Sequence, residues 1–120
     1  MSKMVSTDDV AVVIERANIT PAPVATSWTY QVPWHLETAN GEMVPYNGTC
    51  AATATETGTS ETADPTDATP NVTNGVGDVI TFAGTDGTWA NTDTATLTIT
   101  YTDLRGTTAT DTWVVTFTTP

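Results

Sequence analysis

The chain has 120 residues and a formal net charge of −11, with 14 acidic residues against three lysines and arginines. This length suits one domain and is short for two. A surface so acidic repels nucleic-acid phosphates and anionic membranes, so neither is an expected partner. Threonine accounts for 30 residues, and its β-branched side chain favours strands over helices.

The acidic composition has two explanations. Self-repulsion weakens a compact fold at low ionic strength and fades in molar salt, where the Debye length is about 3 Å. The composition therefore suits a halophilic environment. The alternative is an acidic exterior module from an organism of ordinary salinity.

The N-terminal stretch 1–9 is expected to form an arm ahead of a single domain spanning 10–120. The arm lacks the apolar core of a secretory signal. No run in the chain reaches transmembrane length. We therefore expect a soluble domain with a short leading segment that orders when it is tied to a neighbour.

The segment 10–19 fits two elements. As a strand it places Val10, Val12 and Ile14 on one face, whereas as a helix it carries an apolar stripe behind polar capping residues. The density of β-branched residues favours the strand.

The segment WTYQVPW carries four large side chains at alternate positions, which share one face of a strand. They are Trp28, Tyr30, Val32 and Trp34. Pro33 donates no ladder hydrogen bond, so the strand ends there or lies at a sheet edge. Aromatic side chains dominate cores and are also enriched at tight interfaces. Trp28, Tyr30 and Trp34, together with Trp89 from a turn-rich loop, are therefore candidate partner-binding residues, for a sugar ring or a partner's side chain.

Two single residues do not suggest catalysis. His35 has no recognisable nucleophile or orienting acid in the sequence, so a structural histidine is expected. Cys50 is the only cysteine, which excludes an intrachain disulfide and a cysteine-based metal site. Its alternation with Ala52 and Ala54 predicts a small buried thiol on a strand. Nothing selects a catalytic pair among the acids, so an enzyme is not expected.

Turn chemistry organises the middle of the chain. Asn40-Gly41 predicts a type I′ hairpin between flanking strands, and a further strand follows at about 49–57. The stretch 57–77 holds no aromatic residue and is rich in Thr, Asp, Gly and Pro. It is expected to be a long exposed loop, because it cannot bury enough apolar area to offset its ordering entropy.

The strongest pattern lies between residues 94 and 118, which alternate with a period of two around a short DLRG loop. The inward set is Ala95, Leu97, Ile99, Tyr101, Trp113, Val115 and Phe117. The opposite face is almost entirely threonine. In the loop, Gly106 is placed to adopt the left-handed conformation of a bulge.

About seven short strands with regular turns predict an all-β, antiparallel sandwich. The closing ATLTITYTD…TATDTWVVTF hairpin resembles the last two strands of immunoglobulin-like β-sandwich modules. Such modules occur in prokaryotic surface proteins and in structural proteins of tailed viruses. The resemblance covers about the last 45 residues, and the Cys…Trp…Cys framework of antibody domains is absent.

Loop oxygens are the ligands that Ca²⁺ takes. Asp86, Asn91, Asp93 and Asp103 lie in turns that are expected to meet at one end of the sandwich, which makes them candidates for a structural cation. The alternative is a solvated acidic loop region, and no other cofactor is expected.

The resemblance implies a structural virion component, such as a capsid decoration or head/tail accessory protein of a tailed virus, assembled in the host cytoplasm. Its expected partners are other virion proteins such as the major capsid protein, with the chain present in many copies or as a homo-oligomer. The alternative is a carbohydrate-binding or adhesive immunoglobulin-like surface module.

Overall fold

A computed structural model describes five ranges of the chain: 10–15, 22–23, 28–57, 62–85 and 91–118. Over these residues the protein is all-β, as predicted, and its strand pairs are antiparallel with one exception. None of the described residues forms a helix long and apolar enough to span a membrane. The predicted arm 1–9 lies outside the described residues.

The described residues form twelve strands. They are β1 Ala11–Ile14, β2 Ala22–Pro23, β3 Trp28–Val32, β4 Trp34–Glu37, β5 Gly48–Thr49, β6 Ala51–Glu56, β7 Thr62–Pro65, β8 Asn71–Thr73, β9 Val76–Gly77, β10 Ile80–Thr85, β11 Thr94–Thr102 and β12 Thr108–Thr118. This exceeds the predicted number because one long strand is interrupted and because the predicted loop contains strands.

The strands form three sheets. Their orders are β2-β12-β11-β6, β3-β10-β7 and β1-β4-β9-β8-β5. The β2–β12 pair is parallel, and the other described strand pairs are antiparallel. The four-stranded sheet stacks on the other two: Phe117 meets Trp28 of the three-stranded sheet with ring centroids 5.4 Å apart, and Tyr101 meets Tyr46, which lies just before β5 of the five-stranded sheet, at 5.2 Å.

The β11–β12 hairpin forms the centre of the core. Leu97 pairs with Trp113 and Ala95 pairs with Val115 in register, and the whole predicted inward set is buried. Burying apolar surface contributes roughly 25 cal/mol per Å², so burial of this face stabilises the fold. The predicted left-handed glycine is confirmed, since Gly106 has φ of 84°.

Pro33 and a bulge separate the three-stranded sheet from the five-stranded sheet in the layer opposite the β11–β12 hairpin. His35 pairs with Val76, but Val32 pairs with Ile80. Residues 32–35 of the β3–β4 side therefore lie opposite residues 76–80 of the β9–β10 side. The β9–β10 side contains one extra residue, as in a β-bulge. The strand predicted over residues 28–34 ends at Val32 and restarts in another sheet, and β3 lies at a sheet edge, as the proline predicted.

The predicted exposed loop 57–77 is corrected by the structure. Its residues 62–77 contain β7, β8 and β9, and Ala63, Pro70 and Val72 among them are buried, whereas Val76 is exposed. Its backbone accepts hydrogen bonds from β6 and from the residue before it, with Ala52 N donating to Ala68 O at 2.9 Å and Cys50 N donating to Pro70 O at 3.1 Å. Residues 62–77 form strands because the rest of the domain supplies the apolar core that they lack, and residues 58–61 lie outside the described ranges.

Two of the three Asn-Gly pairs in the chain differ from expectation. At the predicted hairpin, Gly41 N donates to Thr38 O at 2.9 Å, and Gly41 alone has positive φ. That is a three-residue loop with a glycine bulge rather than a type I′ turn. The type I′ signature, positive φ at both central residues, occurs instead at Asn74 and Gly75, between β8 and β9.

The ambiguous N-terminal segment is a strand over its described part. Ala11–Ile14 pairs with β4, and Val10, Val12 and Ile14 are buried. Ile14 N also donates to Asp111 Oδ2 at 2.9 Å, which fastens β1 to the four-stranded sheet.

Candidate functional site

Two of the predicted partner-binding aromatics lie on the edge strand β3. Trp28 and Tyr30 are both half-buried. Their rings are 5.7 Å apart, and each packs on the inner faces of the sandwich: Trp28 lies 5.0 Å from Phe82, and Tyr30 lies 5.3 Å from Trp113. Burial raises the pKa of Tyr30. Much of their area is therefore used for core packing, and only their outer edges remain available to a partner.

Trp34 is corrected as a partner-binding candidate. It is fully buried, its Nε1 donates to Asp78 O at 2.8 Å, and its ring lies against Gly77. Because Pro33 separates β3 from β4, Trp34 enters a different sheet from Trp28 and no longer continues the same exposed edge. Trp89 lies outside the described residues.

Sequence reasoning missed a feature of Trp113. Its Nε1 is buried and has no hydrogen-bond acceptor among the described residues. An unsatisfied buried donor costs about 1–3 kcal/mol. The alternation of β12 predicted burial of the ring but carried no signal for the fate of its single N–H, because that depends on which backbone carbonyls approach it.

The predicted cation site is not assembled by the described residues. Asn91 and Asp93 precede β11, whereas Asp103 follows it. The intervening strand rises about 3.3 Å per residue, so the two groups lie at opposite ends of the sandwich. No group of three or more His, Cys, Asp or Glu side chains in the described part of the chain is arranged to hold a metal. Asp86 lies outside the described residues.

Asp103 has a local structural role instead. Its buried carboxylate accepts hydrogen bonds through Oδ1 from Arg105 N at 2.8 Å and from Thr107 N at 3.0 Å. Its Oδ2 lies 3.6 Å from an Arg105 guanidinium nitrogen. An aspartate that bonds the backbone two residues ahead is a standard way to build a tight turn. The carboxylate fixes the β11–β12 loop.

His35 is held between two carboxylates. Its Nδ1 lies 2.9 Å from Glu15 Oε2, and its Nε2 lies 2.7 Å from Glu37 Oε1. Partial burial alone lowers the pKa of His35, but the hydrogen bonds and charges of Glu15 and Glu37 outweigh that effect and raise it. The doubly protonated ring satisfies both carboxylates, since each nitrogen then donates.

This arrangement is stronger than the sequence suggested. Glu37 is two residues from His35 on one strand, so alternation alone places both on one face. Glu15 is brought in by the pairing of β1 with β4, which composition does not reveal. Both ring nitrogens are engaged by carboxylates, so the group serves as an ionic clasp between two strands.

Cys50 is confirmed as a buried thiol. Burial raises its pKa to about 12. A thiol that stays protonated at neutral pH is a poor nucleophile, so Cys50 acts as a small apolar residue at the edge of the core.

Comparison with known proteins gave no match. Neither a protein-family model, nor a curated protein, nor a solved structure is significantly similar to this chain.

Proposed function

We propose that the chain is a non-enzymatic structural component of a virion, as a capsid decoration or head/tail accessory protein of a tailed virus. In this proposal it is an immunoglobulin-like module that binds other virion proteins, such as the major capsid protein, in many copies. A halophilic host is part of the proposal. The expectation rests on the sequence resemblance, and one surface feature supports it.

That feature is a charge-free face on a highly acidic chain. The outward side chains of β6, β11 and β12 line up in rows across the sheet: Thr53 pairs with Thr98, and Thr98 pairs with Thr112. The next row joins Thr55, Thr96 and Val114. Among the described outward residues of these three strands none is charged. Another protein can approach this threonine face without meeting the carboxylates that make up the net charge of −11.

The use of the large side chains also favours a structural role. Trp34 is fully buried, and the rings of Trp28 and Tyr30 pack on core aromatics. Asp103 is occupied in holding a hairpin, and His35 in holding two strands together. Each of these polar and aromatic side chains thus makes contacts that stabilise the fold.

The test is made on purified virus particles from the source of this sequence. Quantitative mass spectrometry and immunogold labelling should find the chain on particles in many copies. Thr98→Glu, which puts a charge in the middle of the threonine face, should lower its occupancy about tenfold. Thr66→Glu, an exposed position outside that face, is the matched control. Absence of the wild-type chain from particles would contradict the proposal.

The second candidate is a carbohydrate-binding or adhesive module. The half-buried Trp28 and Tyr30 on the edge strand β3 are the observation that favours it. A saturable shift in tryptophan fluorescence on titration with a glycan, lost in Tyr30→Ala, would select this function over the structural one.

A further inference from the structure

One surface of the five-stranded sheet combines exposed apolar side chains with a charged centre. Val13, His35 and Val76 form one row across β1, β4 and β9. Ala11, Glu37 and Met43 form the next row. Paired residues share a face of the sheet, so these six define a single surface, called here the His35 face.

The apolar part of the His35 face is open. Met43 is 49% exposed and Val76 is 50% exposed. Among the described residues five large apolar side chains are exposed, and two of these five, Met43 and Val76, belong to the His35 face. A contiguous exposed apolar patch marks an interaction surface more reliably than scattered single residues do.

The charged part of the His35 face is acidic. Glu15 and Glu37 flank His35 at hydrogen-bond distance. Two carboxylates against at most one imidazolium leave a net negative charge. The complementary surface therefore carries a cation next to an apolar side chain.

The tip of the β11–β12 hairpin has both of these features. Leu104 is 83% exposed, and the Arg105 side chain beside it is 65% exposed. Arg105 is the only lysine or arginine among the described residues. A guanidinium has five N–H donors, so Arg105 can bind a second carboxylate while it stays near Asp103.

The tip is also held by hydrogen bonds within the loop. Asp103 accepts two backbone hydrogen bonds inside the loop, and Gly106 N donates to Asp103 O at 3.0 Å. A preorganised loop loses little conformational entropy on binding, which improves affinity.

We infer that the Leu104–Arg105 tip of one copy docks on the His35 face of a second copy. Leu104 packs against Met43 and Val76, and Arg105 binds the carboxylates of Glu15 and Glu37. Each chain carries both halves of the contact, which therefore either closes into a two-fold pair or propagates into a larger assembly. The inference rests on the multi-copy part of the proposed function and specifies the surface that joins the copies.

The experiment is sedimentation velocity on the purified full chain over a concentration series. Salt is set at about 0.15 M, where a Debye length of about 8 Å screens the repulsion between the acidic bodies. The wild type should associate in a concentration-dependent way. Leu104→Ser should weaken association about tenfold or more, as truncation of a central interface residue does. Val114→Thr, an exposed valine on the separate threonine face, is the matched control and should associate like the wild type.

A charge exchange tests the pairing itself. Arg105→Glu and Glu37→Lys should each abolish association, the first by repulsion from the acidic face and the second by repulsion from Arg105. The double variant re-creates opposite charges and should restore association. Circular dichroism verifies that each variant is folded.

Three results would overturn the inference. They are a wild type that stays monomeric to about 1 mM, a double variant as weak as the single ones, and an equal loss in Val114→Thr. This test is separate from the test on virus particles, because sedimentation velocity uses the isolated chain. A chain that is missing from particles but self-associates through this contact would contradict only the proposed function.

Discussion

Gly84 and Trp28 illustrate how single residues set the packing of this protein. They face each other across β10 and β3, and the indole lies flat over the glycine. A Cβ built on Gly84 would collide with the indole ring at Cε2 and Nε1. The glycine is required by close approach, not by its backbone conformation, and Gly77 has the same relation to Trp34.

Gly84→Ala should destabilise the protein by about 1–3 kcal/mol, the usual cost of overpacking. The free energy of unfolding is measured by urea denaturation. The matched control introduces Gly84→Ala into the Trp28→Ala variant. The indole is absent there, which leaves room for the new methyl group. An equal cost of Gly84→Ala in both backgrounds would show that the collision is not its cause.

Asp103 sets the conformation of the β11–β12 loop. Asp103→Ala removes the acceptor of two backbone N–H groups and should cost about 1–3 kcal/mol of unfolding free energy. Asp103→Asn keeps an oxygen in the same place and should cost less. Chemical denaturation of both variants measures which one loses more unfolding free energy. Equal losses in the two variants would mean that the hydrogen bonds do not account for the effect.

At the scale of elements, the β11–β12 pair supplies seven of the 21 buried hydrophobic residues of the described core. Trp113→Ala on its inner face should cost about 3–5 kcal/mol. Val114→Ala, one residue further on the outer face and 44% exposed, should cost less than about 1 kcal/mol. Thermal or urea unfolding of the two variants and the wild type measures both losses of unfolding free energy. Similar losses at both positions would show that the hairpin does not bury the face described.

The clasp between β1 and β4 makes stability depend on pH. The pKa of His35 is raised in the folded state by Glu15 and Glu37. Its stabilising contribution is therefore fully present below the unfolded value of about 6.5. It is lost as pH rises through the higher folded value.

His35→Gln should remove this pH dependence. The difference in unfolding free energy between wild type and variant is measured by denaturant titration at a series of pH values. It should be largest near pH 6 and shrink in alkaline solution. A difference that grows as pH rises would contradict the ionic clasp.

At the scale of the whole molecule, the net charge of −11 is the dominant long-range term. Raising NaCl from about 20 mM to about 1 M shortens the Debye length to about 3 Å and suppresses self-repulsion. The melting temperature should rise steeply over this range.

The control reduces the charge without touching the core. Glu56→Gln, Asp64→Asn and Asp78→Asn together remove three exposed carboxylates. This variant should melt higher than the wild type at low salt and gain less from added salt. A flat melting temperature for the wild type would remove the argument for a halophilic setting.

Local patterns determined a large part of this fold. The alternation in β11 and β12 predicted which side chains are buried, because a strand turns successive side chains to opposite faces. The β-branched run at Val10 to Ile14 and the stop at Pro33 were equally local. Those signals depend on neighbours in sequence, and the structure confirms them.

Contacts between distant segments decided the rest. Trp34 is buried because a bulge and a proline turn its strand into another sheet. Residues 62–77 form strands because they pack on the apolar core that the rest of the chain supplies. Asn91 and Asp103 were expected together and lie at opposite ends of one strand, whereas Glu15 and His35 were unconnected and lie in contact. Pairing across tens of residues depends on the summed packing of the whole domain, and a one-dimensional pattern contains no record of it.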